Sequence, residues 1–276
     1  MPDVEVQGLL LHWEEHVPER TSGRPVVLLH GLGSSGEDWL LQTPVLAGRR
    51  RVLAPDLPGH GRSQGLRGWP RVEDFGAVLS TWLAKVQAAP AHLVGLSLGG
   101  ALALQLAIGS PERVASLVVV NSLARFRPSL GVIASGAVWL AYALTGRMER
   151  VASWVAADLF PDPDQASLRD EAAARLSRNR RLPYLQAMAA AARFNAWSRL
   201  GSVACPTLVI AGELDTLFPV DQQREMAKAI PGARMVIVPR SRHATPIDAA
   251  DRFNQIVVGF LEEVEGSGRW LVVGGQ

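Results

Sequence analysis

Short apolar runs recur along the chain, and each stops close to a glycine, proline, asparagine or aspartate. Inside a run, valine, isoleucine, leucine and alanine follow one another with few polar interruptions. A strand that is buried on both faces has this pattern, because neither side of it meets water. The runs therefore predict a mostly parallel sheet, with strands over residues 25–29, 51–54, 91–94, 114–120, 206–210 and 233–238.

Helical patterns separate most of these runs. In residues 74–85, for example, Phe75, Val78, Leu79 and Trp82 recur at the spacing of one helix face. The alternation of strand and helix favours an α/β architecture with a doubly wound sheet. Residues 4–13 alternate more regularly between polar and apolar, which predicts an antiparallel pair at the sheet edge. Further helices are predicted over 98–108, 220–230 and 249–263.

The alternation breaks once, between residues 124 and 203. This segment contains no clear strand, and its helical patterns are separated by Pro161, Pro163 and Pro183. Because it lies between two strands of one sheet, we interpret 124–203 as a helical lid. The core domain is then formed by 1–123 together with 204–276. Lid helices are predicted over 130–145, 149–159, 166–178 and 182–196.

The charge and cysteine content exclude several classes of protein. The 276 residues carry a formal net charge of +2, which is too small an excess to create a strong field for nucleic acid. The single cysteine, Cys205, cannot form a disulfide within the chain. The N-terminus lacks the basic start and apolar run of a signal peptide. We therefore expect a cytoplasmic protein, and the sequence leaves its oligomeric state open.

Residues 128–146 carry no charge and include Val132, Ile133 and Val138. A membrane-spanning helix needs about 20 apolar residues, so the length is borderline, and interspersed glycines and serines dilute the apolar character. We expect no membrane span. Two interpretations remain open: a buried or substrate-lining helix, or a helix that contacts a membrane surface.

The segment Gly95-Leu96-Ser97-Leu98-Gly99 matches G-x-S-x-G between a predicted strand and a predicted helix. That context is typical of a nucleophile elbow, in which the serine lies on a tight turn. Side chains two positions before and after the serine would collide there, which explains the glycines. Ser97 is therefore the candidate nucleophile.

A serine hydroxyl needs a base within hydrogen-bond reach to become a good nucleophile. Of the six histidines, His243 follows the last predicted strand, and loops after parallel strands meet at one edge of the sheet. The base in turn needs a carboxylate that fixes its tautomer. Asp215 follows the strand over 206–210, and Glu213 is its nearest competitor. The order Ser97, Asp215, His243 is the one expected for this architecture.

The loop His30-Gly31-Leu32-Gly33 follows the first predicted parallel strand. Negative charge that develops on a substrate oxygen needs preorganised hydrogen-bond donors. We expect the backbone N–H groups of Leu32 and Leu98 to form this oxyanion hole. Gly31 and Ser34 are then expected to line the substrate site.

Taken together, these motifs resemble the α/β-hydrolase superfamily along essentially the whole chain, with serine carboxylesterases that carry a helical lid as the nearest type. The resemblance rests on residues 30–33, 56–63, 95–100, 212–215 and 243, in the family's order. It implies the α/β-hydrolase fold and catalysis by the serine, aspartate and histidine named above. The segment 56–63 is interpreted as a structural turn beside the pocket.

A serine nucleophile implies an acyl-enzyme, and hence a small-molecule ester, thioester, lactone or activated C–C bond as substrate. We expect a carboxylesterase for small or medium apolar acyl or aryl groups. The resemblance also brings in C–C hydrolases of aromatic degradation, enol-lactonases, a carrier-protein methyl esterase and non-enzymatic ligand receptors. We expect no metal and no cofactor, because the chain lacks H-E-x-x-H, paired cysteines and the acidic partner of a dinucleotide site.

Aromatic and sulfur-containing side chains of the predicted lid provide candidates for an apolar substrate pocket. Side chains of this kind at helical spacing also form ordinary helix cores, so both roles stay open for each of them. The predicted substrate-binding residues are Trp139, Tyr142, Trp154 and Met188 in the lid and Phe218 in the core.

Overall fold

The computed structural model describes residues 2–127 and 130–266, and for 130–135 it describes the backbone alone. The strands are β1 (Asp3–Val6), β2 (Leu9–His16), β3 (Val26–Leu29), β4 (Val52–Pro55), β5 (Ala91–Leu96), β6 (Val114–Val120), β7 (Thr207–Gly212) and β8 (Arg234–Val238). They form one eight-stranded sheet in the order β1-β2-β4-β3-β5-β6-β7-β8. The pairs β1–β2 and β2–β4 are antiparallel, and the other neighbours are parallel. The expected mostly parallel sheet with an antiparallel edge is therefore confirmed.

Helices cover both faces of this sheet. The α-helices are α1 (Thr43–Leu46), α2 (Val72–Lys85), α3 (Leu98–Gly109), α4 (Leu130–Leu144), α5 (Met148–Leu159), α6 (Ala166–Leu176), α7 (Arg181–Arg193), α8 (Val220–Ala229), α9 (Thr245–Asp248) and α10 (Ala250–Val264). Short 3₁₀ helices cover Gly36–Trp39, Pro111–Arg113, Pro163–Gln165 and Trp197–Ser202.

Alternate residues of the parallel strands enter two different apolar cores, since successive side chains point to opposite faces. Val27 and Leu29 of β3 pack in a cluster that includes residues of α2 and α3. Val26 and Leu28 pack in a second cluster that includes residues of α10. This double burial explains why the runs contain few polar positions.

Helices α4 to α7 form a helical insertion between β6 and β7. Its two ends lie side by side, because the Ala196 N–H donates to the Ala124 carbonyl at 2.7 Å and Arg125 pairs with Asn195 as an antiparallel bridge. The chain thus leaves and re-enters the core at one point. The division of the chain into a core and a lid at residues 124 and 203 stays a prediction.

The path of the chain through the sheet creates a crevice next to β3. The chain runs from β3 to β4 on one side and then returns to β5 on the other side. In open α/β sheets such a reversal leaves a ligand-binding crevice at the carboxyl ends of the strands. Residues 30–34, which follow β3, and Ser97, which follows β5, lie at this crevice.

The uncharged segment of the sequence forms α4, while residues 128 and 129 lie outside the described residues. Val138 and Leu144 are exposed on this helix, whereas Ala143 is buried. None of the helices in the described part of the chain combines the length and the apolar character that crossing a membrane requires. Contact of α4 with a membrane surface stays a prediction.

Candidate active site

Ser97 lies at the turn from β5 into α3 with a φ of 55°, in the left-handed region that non-glycine residues seldom adopt. Its N–H donates to the Val120 carbonyl at 2.9 Å, and its carbonyl accepts from the Ser122 hydroxyl at 2.7 Å. The turn depends on its glycines: a Cβ on Gly95 would overlap the Gly99 carbonyl oxygen. The backbone therefore presents Ser97 at the carboxyl end of the sheet.

His243 and Asp215 are joined by a hydrogen bond of 2.9 Å between Nδ1 of the imidazole and Oδ2 of the carboxylate. The Asp215 side chain is fully buried. Its second oxygen accepts the N–H groups of Leu217 and Phe218 at 2.9 and 3.0 Å. The bond to Nδ1 leaves Nε2 of His243 as the basic nitrogen. Glu213 is engaged elsewhere, since its carboxylate accepts from the N–H of Arg240.

The protonation of His243 is set by competing effects. Burial by itself lowers the pKa of His243, because a charged imidazole is poorly solvated there. The charge and hydrogen bond of Asp215, with further contributions from Asp158 and Asp248, outweigh burial and raise the pKa of His243 above 6.5. Asp215 therefore stabilises the imidazolium that forms when His243 takes a proton.

Ser97 and His243 line the same cavity, which has a volume of about 1100 Å³. Across residues 2–127 and 130–266, no hydrogen bond joins the Ser97 hydroxyl to the imidazole. Contacts of this kind in ligand-free enzymes are often long and tighten only when substrate binds. The cavity therefore brings together the predicted nucleophile and base, with the acid directly behind the base.

Asn121 connects the loop that carries the acid to the loop that carries the base. Its side-chain oxygen accepts the N–H of Gly212 at 2.7 Å, at the end of β7. Its side-chain nitrogen donates to the carbonyls of Arg242 and His243 at 3.0 and 2.8 Å. Asn121 is fully buried and has a φ of 42°. In the sequence, the only sign of this role is the position of Asn121 at a strand end.

His30 controls the peptide that carries one of the predicted oxyanion donors. Its Nδ1 donates to the Gly31 carbonyl at 2.7 Å, and its Nε2 accepts the Leu57 N–H at 2.9 Å. The bond that Nε2 accepts requires a neutral ring, which fits the burial that lowers the pKa of His30 to about 4. Because a peptide is planar, fixing the Gly31 carbonyl also fixes the direction of the Leu32 N–H.

The two predicted oxyanion donors lie near the nucleophile. An added Cβ on Gly31, next to Leu32, would lie 3.5 Å from Cβ of Ser97. Leu98 opens α3, where the first N–H groups have no partner within the helix. Neither N–H has a hydrogen-bond partner among the described residues. Both donors are thus free to bind a substrate oxygen.

The cavity lies between the sheet edge and the helical insertion, and most of the predicted substrate-binding residues line it. These are Gly31, Ser34, Trp139, Trp154, Met188 and Phe218. Tyr142 does not belong to the lining. It packs instead against the small cluster around Met148 and Leu185, and the Arg150 guanidinium lies 5.8 Å from its ring centroid. On α4 the ring of Tyr142 therefore turns into the insertion, and that of Trp139 turns towards the cavity.

Polar side chains that the sequence did not single out also line the cavity. Arg175 donates to Asp38 at 2.7 Å and to Glu171 at 2.6 Å, and the Ser34 hydroxyl donates to Asp38. Asp158 faces the cavity from α5. These contacts link the insertion to the loop after β3, and sequence spacing carries no sign of them. No group of three or more histidine, cysteine, aspartate or glutamate side chains in the described chain could hold a metal ion.

Comparison with known proteins supports one family. The family model for the alpha/beta hydrolase family matches residues 26–256, from β3 into α10. The 2-hydroxy-6-oxononadienedioate/2-hydroxy-6-oxononatrienedioate hydrolase of Cupriavidus pinatubonensis is 33% identical, over 86% of this chain and 86% of its own. The dihydrolipoyllysine-residue acetyltransferase component of the acetoin cleaving system of Pseudomonas putida is 32% identical, over 94% of this chain and 68% of its own.

The same fold occurs in an enol-lactonase from Burkholderia xenovorans LB400, whose crystal structure is similar with a TM-score of 0.85. The two sequences are 26% identical, and the similarity covers 94% of this chain and 99% of the lactonase. Fold, family model and relatives agree with the sequence motifs. The chain belongs to the alpha/beta hydrolase family and is a hydrolase.

Proposed function

We propose that this hydrolase cleaves carboxylic esters of small to medium apolar acyl or aryl groups, with Ser97 as nucleophile, His243 as base and Asp215 as acid. The main support is that Ser97, on its left-handed turn, shares one cavity with a histidine whose Nδ1 is bonded to a buried carboxylate. Aromatic and aliphatic side chains, among them Phe126 and Leu140, make up most of the cavity wall. Such a wall suits an apolar acyl or aryl group.

The reaction has two steps. In acylation, Nε2 of His243 takes the Ser97 proton while the serine oxygen bonds to the substrate carbonyl carbon. The N–H groups of Leu32 and Leu98 stabilise the negative oxygen of the tetrahedral intermediate. The intermediate then expels the alcohol, which receives the proton from His243. In deacylation, His243 takes a proton from water, which attacks the acyl carbon. His243 then returns this proton to the Ser97 oxygen as the acid leaves.

Hydrolysis of p-nitrophenyl acetate and butyrate, with release of p-nitrophenolate as the readout, tests this proposal. We expect Ser97→Ala to lower kcat by a factor on the order of 10⁶. Asp215→Asn should lower it by about 10⁴, since the imidazole is then held in the wrong tautomer. Glu213→Gln is the matched control and should keep wild-type activity. A Ser97→Ala enzyme that kept a tenth of the rate would refute the role of Ser97, and a larger loss in Glu213→Gln would refute that of Asp215.

Cleavage of a lactone or of a C–C bond is a second candidate, favoured by similarity to an enol-lactonase and to a 2-hydroxy-6-oxo-dienedioate hydrolase. The same three side chains could serve these reactions, because each passes through attack on a carbonyl carbon. A substrate panel that includes an enol-lactone and a coloured dienoate separates the candidates. Faster turnover of the dienoate than of any simple ester would favour the C–C hydrolase.

A further inference from the structure

The wall of the cavity carries more carboxylates than positively charged groups. Among the described residues that line it, Asp38, Asp158 and Glu171 carry carboxylates, and Arg175 carries the one guanidinium. Charged groups along a cleft with apolar walls act on a charged ligand, because the cleft focuses their electric field. The balance of these groups therefore bears on which substrates can enter.

The guanidinium of Arg175 is already neutralised. One of its nitrogens lies 2.7 Å from Asp38 and the other lies 2.6 Å from Glu171. Asp38 also accepts the Ser34 hydroxyl, which holds it in place. A substrate carboxylate would have to displace two carboxylates from Arg175 before it could bind there. Arg175 is thus a poor anchor for an anionic substrate.

Asp158 differs from the other two carboxylates because it has no cation of its own. In residues 2–127 and 130–266 its side chain forms no hydrogen bond and no ion pair. Arg242, the arginine next to His243 in the chain, lies 3.8 Å from Asp162 instead. The charge of Asp158 nevertheless reaches the catalytic region, since it contributes to raising the pKa of His243.

Aromatic rings share the cavity wall with this carboxylate. Trp154 precedes Asp158 by one helical turn on α5, and both line the cavity. The Trp154 ring stacks on Trp139 with 6.4 Å between ring centroids. Indole faces attract cations, above all quaternary ammonium groups, and do not attract anions. A carboxylate and two indoles together therefore favour a positive group over a negative one.

We infer that the cavity selects its substrate by charge, that it accepts neutral or cationic esters and rejects carboxylate-bearing ones, and that Asp158 sets this preference. The inference rests on the proposed ester hydrolysis and narrows its substrate class. It also separates this chain from its 33% identical relative, whose name specifies a dioate substrate.

Three p-nitrophenyl esters with similar chain lengths test the inference: the hexanoate, the 6-(trimethylammonio)hexanoate and the hydrogen adipate. Each kcat/KM is divided by the rate of spontaneous hydrolysis, so that intrinsic reactivity cancels. For the wild type we expect the neutral and cationic esters to exceed the anionic one by about threefold to tenfold, as a partly exposed charge allows. Raising the salt concentration to 1 M should shrink the ratio.

Variants test whether Asp158 causes the preference among the three esters. Asp158→Asn should bring the three values closer together, and Asp158→Lys should invert the order of the cationic and anionic esters. Asp164→Asn is the matched control, because Asp164 is exposed, as Asp158 is, but does not line the cavity; it should leave the ratio unchanged. An anionic ester that the wild type cleaves as fast as the neutral one overturns the inference.

A binding measurement keeps this inference separate from the proposed function. Hexyltrimethylammonium and hexanoate are titrated against the wild type, with tryptophan fluorescence reporting occupancy next to Trp139 and Trp154. We expect the cation to bind more tightly in wild type and the difference to disappear in Asp158→Asn. Tighter binding of hexanoate overturns the charge preference, even if no ester is cleaved. Absence of ester turnover with preferential cation binding refutes only the ester hydrolase.

Discussion

Asn121 occupies a position where one side chain can control the geometry of two loops. Its four hydrogen bonds reach Gly212, the carbonyls of Arg242 and His243, and the Thr245 hydroxyl. Gly212 precedes the loop that carries Asp215. The other three partners belong to the segment that carries His243. The distance between the imidazole and the carboxylate therefore depends on Asn121, although its side chain forms no hydrogen bond with either of these two groups in the described structure.

We predict that Asn121→Ala lowers kcat by about 10²-fold, the loss that follows when a catalytic group moves by about 1 Å. Alanine can neither accept from Gly212 nor donate to the two carbonyls, and it adds no charge beside His243. A looser contact with Asp215 lowers the pKa of His243, and only the neutral imidazole can act as base. The acidic limb of the kcat/KM profile should therefore move to lower pH. Rates are measured per active site, after titration of the acylated fraction.

The matched control is Asn254→Ala, which removes a buried amide that donates to the Leu41 carbonyl from α10. It should lower the melting temperature without shifting the pH profile. If Asn121→Ala also lost only stability, with kcat per active site and the acidic limb unchanged, Asn121 would have no positioning role.

Sequence patterns identified the three candidate catalytic residues but not the residues that hold them. Ser97, Asp215 and His243 each stand in the loop that follows a predicted strand, so local spacing was enough to single them out. The contacts of Asn121 and Arg175 join segments that are far apart in the chain. A pattern read along one sequence has no information about such pairs.

At the scale of elements, the close approach of α3 to β3 fixes the position of the nucleophile. A Cβ on Gly99, in the first turn of α3, would overlap the Leu29 carbonyl oxygen, and it would lie 2.7 Å from the His30 carbonyl oxygen. Both obstacles are backbone atoms, which cannot rotate away. The helix can approach the strand end so closely only because residue 99 has no side chain.

We predict that replacing a glycine by alanine has opposite effects on stability in α3 and in α4. Gly99→Ala should destabilise the fold by several kcal/mol and abolish activity, because α3 must move away from β3. Gly136→Ala in α4 meets nothing within 4 Å, so it should stabilise by up to about 1 kcal/mol through helix propensity. Urea unfolding of both variants checks this pair. A Gly99→Ala protein as stable as wild type would mean that the helix and strand are not tightly apposed.

The elements and the mostly parallel character of the sheet were largely predictable from local patterns, and the order of the strands within the sheet was not. Predicted and observed ends of the parallel strands differ by at most two residues, because continuous apolar runs define them locally. The antiparallel contact of β2 with β4, by contrast, arises from pairing between His16 and Val52. Which strands become neighbours depends on the packing of the helices between them, and no single run encodes that packing.

At the scale of the whole molecule, buried histidines make the fold sensitive to acid. Burial lowers the pKa of His30 to about 4 and that of His60 to about 3, and it also lowers the pKa of His92. In the unfolded chain such rings titrate near 6.5. Below that pH the unfolded state therefore binds protons that the folded state cannot accept.

We predict that the free energy of unfolding falls as the pH drops from 6.5 towards 5. Each histidine with a lowered pKa contributes a slope of about 1.4 kcal/mol per pH unit once the pH is well below 6.5. His243 acts in the opposite sense: its raised pKa adds stability at low pH, which is lost as the pH rises through the folded-state value. The free energy of unfolding should therefore fall steeply only below pH 6. Urea unfolding at pH 7.5, 6.5, 5.5 and 5.0 measures it.

Two variants identify the source of this slope. His60→Gln removes one buried ring, so its slope between pH 6 and 5 should be smaller by about 1.4 kcal/mol per pH unit, the equivalent of one proton. His16→Gln changes an exposed histidine at the end of β2 and should leave the slope unchanged. A free energy of unfolding that stayed constant from pH 7.5 to 5.0 in the wild type would mean that these rings accept protons inside the fold. In that case His30 could not hold the Gly31–Leu32 peptide as a neutral donor and acceptor at low pH, and the oxyanion loop would lose its support under mildly acidic conditions.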